Sequence, residues 1–237
     1  MQDAAGGALA ADATIIAPYG SAFSIWSVIY TGLLAYAVWQ VLPGQATRTR
    51  HRTLGWWILV SQLLNAAWIL TVQAGLLGLS VAVIAALLVT LIVVFVGLQR
   101  SAASGWGDVI TMDATMGLYL GWVMIATIAN ITAWLVASGF DGFGLPAPVW
   151  GAAVVAVGMV LVLGVTLWSK GRLAPAAAAA WGLAWIGVAR LIDEPQSVVV
   201  AVAALGAAGV IVLVAIVARV VAERQQRATS HEASTQH

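Results

Sequence analysis

The chain has 237 residues, of which 62% are hydrophobic and only 8% charged, with a net charge of +1 and a mean hydropathy of +0.99. Soluble domains carry about 25% charged residues, so this composition excludes a water-soluble fold. So small a net charge excludes a nucleic-acid partner, and the absence of cysteine excludes disulfides, thiolate catalysis and cysteine-ligated metal.

Residues 1–19 are small and Ala/Gly-rich, with Asp3 and Asp12 as the only charged side chains, and end in the turn-prone Ala17-Pro18-Tyr19-Gly20. They read as an external segment. No basic leader precedes the first apolar run, so the first helix is expected to act as its own signal anchor. Apolar runs of about 20 residues, the length that crosses a hydrocarbon core of about 30 Å, predict helices over 21–42, 54–77, 80–99, 114–138, 148–168, 174–192 and 197–218. The fold class is therefore an all-α, polytopic transmembrane bundle of seven spans. Three glycines and two prolines between Gly139 and Pro148 mark an internal boundary. The expected organisation is an external segment (1–19), a four-helix part (20–138), an external linker (139–147), a three-helix part (148–220) and a polar tail (221–237) read as solvated and disordered.

With seven crossings, Arg48, Arg50, Arg52, Arg100, Lys170, Arg172, Arg219, Arg224 and Arg227 fall on one side and Arg190 alone on the other. The positive-inside rule makes the crowded side cytoplasmic, with the amino end outside and the carboxyl end inside.

Polar residues inside such helices carry the functional reading, because an amide in hydrocarbon costs free energy until it finds a partner. Gln62, Asn65 and Gln73 are expected to share an inward face of the second helix, and Trp122, Ala126 and Asn130 form one stripe on the fourth. Interhelical hydrogen bonding and a ligand site explain these residues equally well. Of the 12 tryptophans, Trp39, Trp56, Trp57, Trp150 and Trp168 lie near helix ends and fit an interfacial belt. Trp68, Trp122, Trp181 and Trp185 lie deeper, where indoles can line a cavity for a flat apolar molecule. Arg190, followed by Asp193 and Glu194, reads as a local interfacial ion pair. His51, His231 and His237 fall in a basic loop or the tail, away from any buried metal or haem. The small residues Gly151, Gly158, Gly182 and Gly206 read as sites of close helix packing. The only lysine, Lys170, lies in a loop, which excludes a retinal Schiff base, and every carboxylate falls in a loop, a tail or at a helix end, which disfavours ion-coupled transport.

The segment Pro18-Tyr19-Gly20-Ser21-Ala22-Phe23-Ser24-Ile25-Trp26-Ser27-Val28-Ile29-Tyr30 resembles a signature of the tryptophan-rich sensory protein (TspO, translocator protein) family. "LLNAAW", with Asn65 and Trp68, and "GLYLGWVMIATIAN", with Tyr119, Trp122, Ala126, Thr127 and Asn130, follow in the family's order. The resemblance covers residues 18–138 and implies a helical bundle whose pocket binds porphyrins or similar flat hydrophobic molecules. It assigns ligand binding to Phe23, Trp26, Asn65, Trp122 and Ala126, with Tyr30, Trp68 and Asn130 in support.

There are departures from the pattern. Ser24 stands where a loop proline is common, and Ile131-Thr132-Ala133-Trp134-Leu135 lacks the tyrosine and basic residue of the proposed cholesterol motif. The family has five helices and the Phe23–Tyr30 signature belongs to its second, so either a helix precedes Met1 or one of the last three helices closes the pocket.

The resemblance implies a membrane sensory or binding protein for tetrapyrroles, placed in a bacterial plasma membrane. No cofactor is required, a porphyrin or haem-type tetrapyrrole being the ligand, and no catalytic or metal residue is assigned. Light-dependent porphyrin breakdown belongs to the family, yet no general acid or base is visible, which favours binding over catalysis. A small-molecule exporter and a structural assembly partner are the alternative readings. The expected partners are the lipid bilayer, the hydrophobic ligand and a second copy of the chain in a homodimer.

Overall fold

The computed structural model describes residue 10 and residues 12–235, with side chains as far as 228. Asp3, His237 and the side chain of His231 lie outside the described residues. Seven helices are long and apolar enough to cross a membrane. They are α1 (Ile25–Val41, entered through a 3-10 turn at Gly20–Ser24), α2 (Thr49–Gln73), α3 (Leu77–Arg100) and α4 (Trp106–Ala137). After the Gly139–Pro148 break come α5 (Ala147–Trp168), α6 (Leu173–Ile192) and α7 (Val198–Thr235).

Local chemistry sets the boundaries. Leu42 turns extended before Pro43, whose ring disfavours the helical conformation of its predecessor, and α1 stops there. Gly139, at φ +81°, ends α4 with its amide on the Val136 carbonyl, while the Phe140 amide donates to Leu135. Pro148 lies in the first turn of α5, where its missing N–H costs nothing.

Three boundaries depart from the sequence reading. α2 begins at Thr49, inside the expected basic loop, so His51 and Arg52 are helical. α4 begins at Trp106 and passes through a π-helical stretch at Val109–Ala114, which brings Asp108 and Asp113 into its first turns. The tail expected to be disordered continues α7 to Thr235, its start reinforced by an Arg219–Glu223 ion pair one turn apart.

The bundle is organised around α4, which packs against α1, α3, α5 and α6, with α2 outside α3 and α7 joining α5 to α6. α4 and α6 are the most enclosed spans, whereas α1, α2 and α5 keep most of their apolar side chains outward, as a lipid-facing surface requires. Close approach of α4 and α6 rests on Gly117 and Gly121 of "GLYLG". A β-carbon at Gly121 would run into the backbone carbonyl of Pro175, and one at Gly117 would lie 2.8 Å from the Ala174 β-carbon. This is small-xxx-small packing. The glycines singled out earlier are only partly of this kind: Gly151, Gly158 and Gly182 face neighbouring side chains, but Gly206 faces open space.

One end of the bundle collects the basic residues. There Asp108, 1% exposed, accepts from Trp39 Nε1 at 2.8 Å and from Ser104 Oγ at 2.6 Å, and pairs with His51 Nε2 at 3.2 Å. Arg48 and Arg50 also approach Asp108, at 3.6 and 3.7 Å, and Asp113 joins Arg50 of α2 to Arg172, the N-cap of α6, at 2.7 and 2.8 Å. Buried carboxylates need such partners, and the network ties α1, α2, α4 and α6 together. Two expectations change here. His51 is a buried helical residue bound to Asp108 and not a loop residue, and Trp39 anchors this network in addition to lying near a helix end.

Candidate functional site

The opposite end holds the candidate site. Its outer wall is the segment leading into α1, which three contacts hold in place. Arg190 Nη1 donates to the Thr14 carbonyl at 3.1 Å and to Pro195 O at 3.0 Å. The Tyr19 amide donates to the Trp185 carbonyl at 3.2 Å, and the two rings stack with centroids 5.9 Å apart. Trp181 Nε1 donates to Ala22 O at 3.0 Å. Arg190 is 1% exposed, so it is a buried clamp on backbone carbonyls and not an exposed residue, while the charges of Asp193 and Glu194 act on it as their spacing suggests. Trp181 and Trp185, expected to line a cavity, serve this wall instead. Every donor here except Tyr19 lies on α6, so one of the last three helices does support the site.

Behind this wall lies a narrow cleft of about 40 Å³ lined by Thr14, Ala17, Pro18, Phe23, Trp68 and Trp122, with Ala126, Ala129, Asn130 and Ala133 along α4. The lining is apolar with few polar groups, as in small-molecule sites, but the space is far smaller than the few hundred Å³ or more that such sites enclose. The small side chains of α4 recur at helical spacing below Trp122 and leave the space that the aromatic rings border.

The aromatic residues form one cluster around Trp26. Its ring stacks on Tyr30 at 5.1 Å and meets Tyr119 and Trp122 edge-on at 5.7 and 6.2 Å, with Trp68 at 6.5 Å. Phe23 meets Trp122 edge-on at 5.7 Å. Offset and edge-on pairs at these separations are the favoured geometries for rings, so the cluster is a rigid backing for the cleft.

Hydrogen bonds lock its far side. Trp68 Nε1 donates to Asn130 Oδ1 at 2.8 Å, Asn130 Nδ2 donates to Ser80 Oγ at 3.0 Å, and Tyr119 Oη donates to Ser61 O at 3.3 Å. Asn130 therefore works as an interhelical joint as well as a lining residue. Trp122 is 2% exposed, and its Nε1, like Trp26 Nε1, has no partner among the described residues. A buried indole donor without an acceptor is uncommon, and here one belongs to a residue of the cleft wall.

The structure thus brings Phe23, Trp68, Trp122, Ala126 and Asn130 to one cleft, with Trp26 directly behind it. Tyr30 and Asn65 lie elsewhere. Asn65 Nδ2 donates to Tyr30 Oη at 3.0 Å, and both line a lateral groove between α1 and α2. Gln62 and Gln73 are exposed, so the inward face of α2 is Ser61–Asn65–Trp68–Val72, rotated from the expected one. Ser80 and the wall residues Thr14 and Ala17 escaped the sequence reading. For Ser80 the available signal was Asn130 itself, which in hydrocarbon demands a polar partner on a neighbouring helix.

A family model described as "TSPO-like protein" matches residues 2–217. The match runs past residue 138 and takes in the three helices after the break as well as the motif-bearing first half. No curated protein and no solved structure matches the chain.

Proposed function

From the premise that the chain belongs to the TSPO-like protein family and is an integral membrane protein, we propose that it binds porphyrins or similar flat hydrophobic molecules in the Trp122 cleft. The observation that carries this reading is Trp122 itself, whose indole borders an apolar cleft, is braced edge-on by Phe23 and Trp26, and keeps an unpartnered N–H. A tetrapyrrole offers a flat face to the aromatic wall and an acceptor to that donor. The cleft is a slit, so entry requires Phe23 and the Thr14–Pro18 wall to give way. That wall is held by a few individual contacts and not by a regular helix, which makes it the element of the site most able to move.

The small residues of α4 let a planar ligand lie close to the helix, and Asn130 is already committed to Trp68 and Ser80. Binding is therefore governed by stacking and shape, with no general acid or base at hand. This supports a sensory or trafficking role over catalysis. The nine basic residues expected on one side support an arrangement in which the Asp108 end faces the cytoplasm and the cleft opens outward, in a bacterial plasma membrane.

The test is titration of detergent-purified protein with protoporphyrin IX, read by tryptophan fluorescence. Saturable quenching with one strong site per chain is expected, and in sealed proteoliposomes bound porphyrin should stay with the protein. Net accumulation in the lumen would identify an exporter, and no saturable binding would leave an assembly role.

A further inference from the structure

A second groove lies away from the cleft, between α1 and α2 at the basic end. The backbones of α1 and α2, though consecutive, rarely approach each other and are bridged by side chains such as Asn65–Tyr30 and Tyr36–His51. The gap between them is an open groove of about 480 Å³ lined by Tyr36, Gln40, His51, Arg52, Gly55 and Trp56 among others. It continues into the groove of Tyr30, Leu33, Leu34, Asn65 and Ile69 through the shared residues Ala37 and Gln62. From Arg52 to Ile69 the path is roughly 25 Å at 1.5 Å per residue, most of a hydrocarbon core.

Its two ends differ in chemistry. The deeper part is mostly aliphatic, with Leu33, Leu34, Ala66 and Ile69 beside Tyr30, Gln62 and Asn65. At the basic end, Tyr36 Oη and His51 Nδ1 are buried without a hydrogen-bond partner among the described residues, although both side chains line the groove. The His51 Nε2–H is directed to the Asp108 carboxylate at 3.2 Å, so in the neutral ring Nδ1 is an acceptor that wants a donor. Tyr36 offers a hydroxyl and Arg52 an exposed positive charge. Gly55 keeps this space open. A β-carbon there would lie 3.5 Å from Gln40 Oε1 and 3.7 Å from Tyr36 Oη, so any larger side chain would fill the groove over the tyrosine hydroxyl. A glycine within a helix weakens it relative to alanine, and no backbone strain or close helix contact requires one here.

We infer that the α1–α2 groove is a binding site for an anionic glycerophospholipid whose head group carries hydroxyls, with the phosphate at Arg52 and Tyr36, a head-group hydroxyl at His51, and one acyl chain running toward Asn65. The head group supplies what each wall atom lacks: negative charge for Arg52, an acceptor for the Tyr36 hydroxyl and a donor for His51 Nδ1. Trp56, 72% exposed beside the mouth, sits where an indole meets the head-group layer.

The experiment is native mass spectrometry of the full chain, released from micelles doped with equal amounts of dioleoyl phosphatidylglycerol and dioleoyl phosphatidylcholine. One phosphatidylglycerol should be retained, at least fivefold in preference to phosphatidylcholine. Arg52→Gln and Tyr36→Phe should each reduce that preference severalfold, and Gly55→Leu should abolish retention while the melting temperature holds or rises. Arg224→Gln, in the exposed tail of α7, should change nothing. Equal retention of the two lipids by the parent chain would overturn the assignment, as would undiminished phosphatidylglycerol in both Gly55→Leu and Arg52→Gln. Displacement by equimolar oleate would overturn the head-group role, because oleate has the chain and the charge but no hydroxyl.

Discussion

Two asparagines with the same sequence signal have different structural work. Asn130 accepts from Trp68 and donates to Ser80, so it satisfies groups on α2 and α3 at once. Asn65 donates to one tyrosine hydroxyl, and its own Oδ1 has no partner among the described residues. Replacing a group that leaves buried partners unsatisfied costs about 1–3 kcal/mol, whereas removing an amide that is itself half-satisfied comes close to neutral. Asn130→Leu should therefore lower the thermal stability of the detergent-solubilised protein clearly, and Asn65→Leu should leave it within about 1 kcal/mol of the parent. Equal losses would show that the Asn65 bond to Tyr30 carries more than its geometry suggests. At this scale the sequence was informative about which residues are special and silent about what they touch. Asn65, Trp68, Trp122 and Asn130 stand out because a polar or amphipathic group in hydrocarbon always needs an explanation. Whether the explanation is a ligand or another helix depends on partners such as Ser80, which lies 50 positions away in the chain.

Helix positions were legible because length and hydropathy are set by the bilayer, and the ends were less so because polar residues can continue a helix beyond it. The first turns of α4 show the reason. Asp108 and Asp113 read as a loop until the basic partners from α2 and α6 are placed around them. Helix contacts were harder still, since small residues are common in membrane helices and only some face a neighbour. Gly121→Ala should place a methyl group against the Pro175 carbonyl and cost about 1–3 kcal/mol as overpacking. Gly206→Ala meets nothing and should leave stability unchanged or raise it by about 0.4–1 kcal/mol. Unfolding of the two variants side by side checks the packing of α4 on α6. A larger loss in Gly206→Ala would mean that α7, not α6, is the critical partner.

The whole molecule has a tightly charged end and an aromatic end. The charged end gathers Arg48, Arg50, Arg172 and two carboxylates, and the aromatic end is closed by a segment that α6 holds through Arg190 and Trp185. The gathering of basic residues at one end was readable from their positions, but the dependence of the cleft on α6 was not, because it runs through backbone carbonyls. If the positive-inside rule sets the orientation, single cysteines placed at the exposed positions Arg52 and Lys170 should resist an impermeant maleimide on intact cells. Cysteines at Asp141 and Glu194, also exposed, should label. The reverse pattern would invert the protein in the membrane without altering its fold. The claim that a flat hydrophobic ligand occupies the aromatic cleft is met most directly by comparing protoporphyrin affinity in Trp122→Leu and Trp168→Leu. Trp122 is enclosed in the cleft wall and Trp168 is 55% exposed at the other end of the bundle. An aromatic contact is worth about 0.5–1.5 kcal/mol beyond the area it buries, so the first change should weaken binding severalfold or more and the second should leave it unchanged. Parent-like affinity in Trp122→Leu, together with a loss in Trp168→Leu, would contradict the assignment of the cleft.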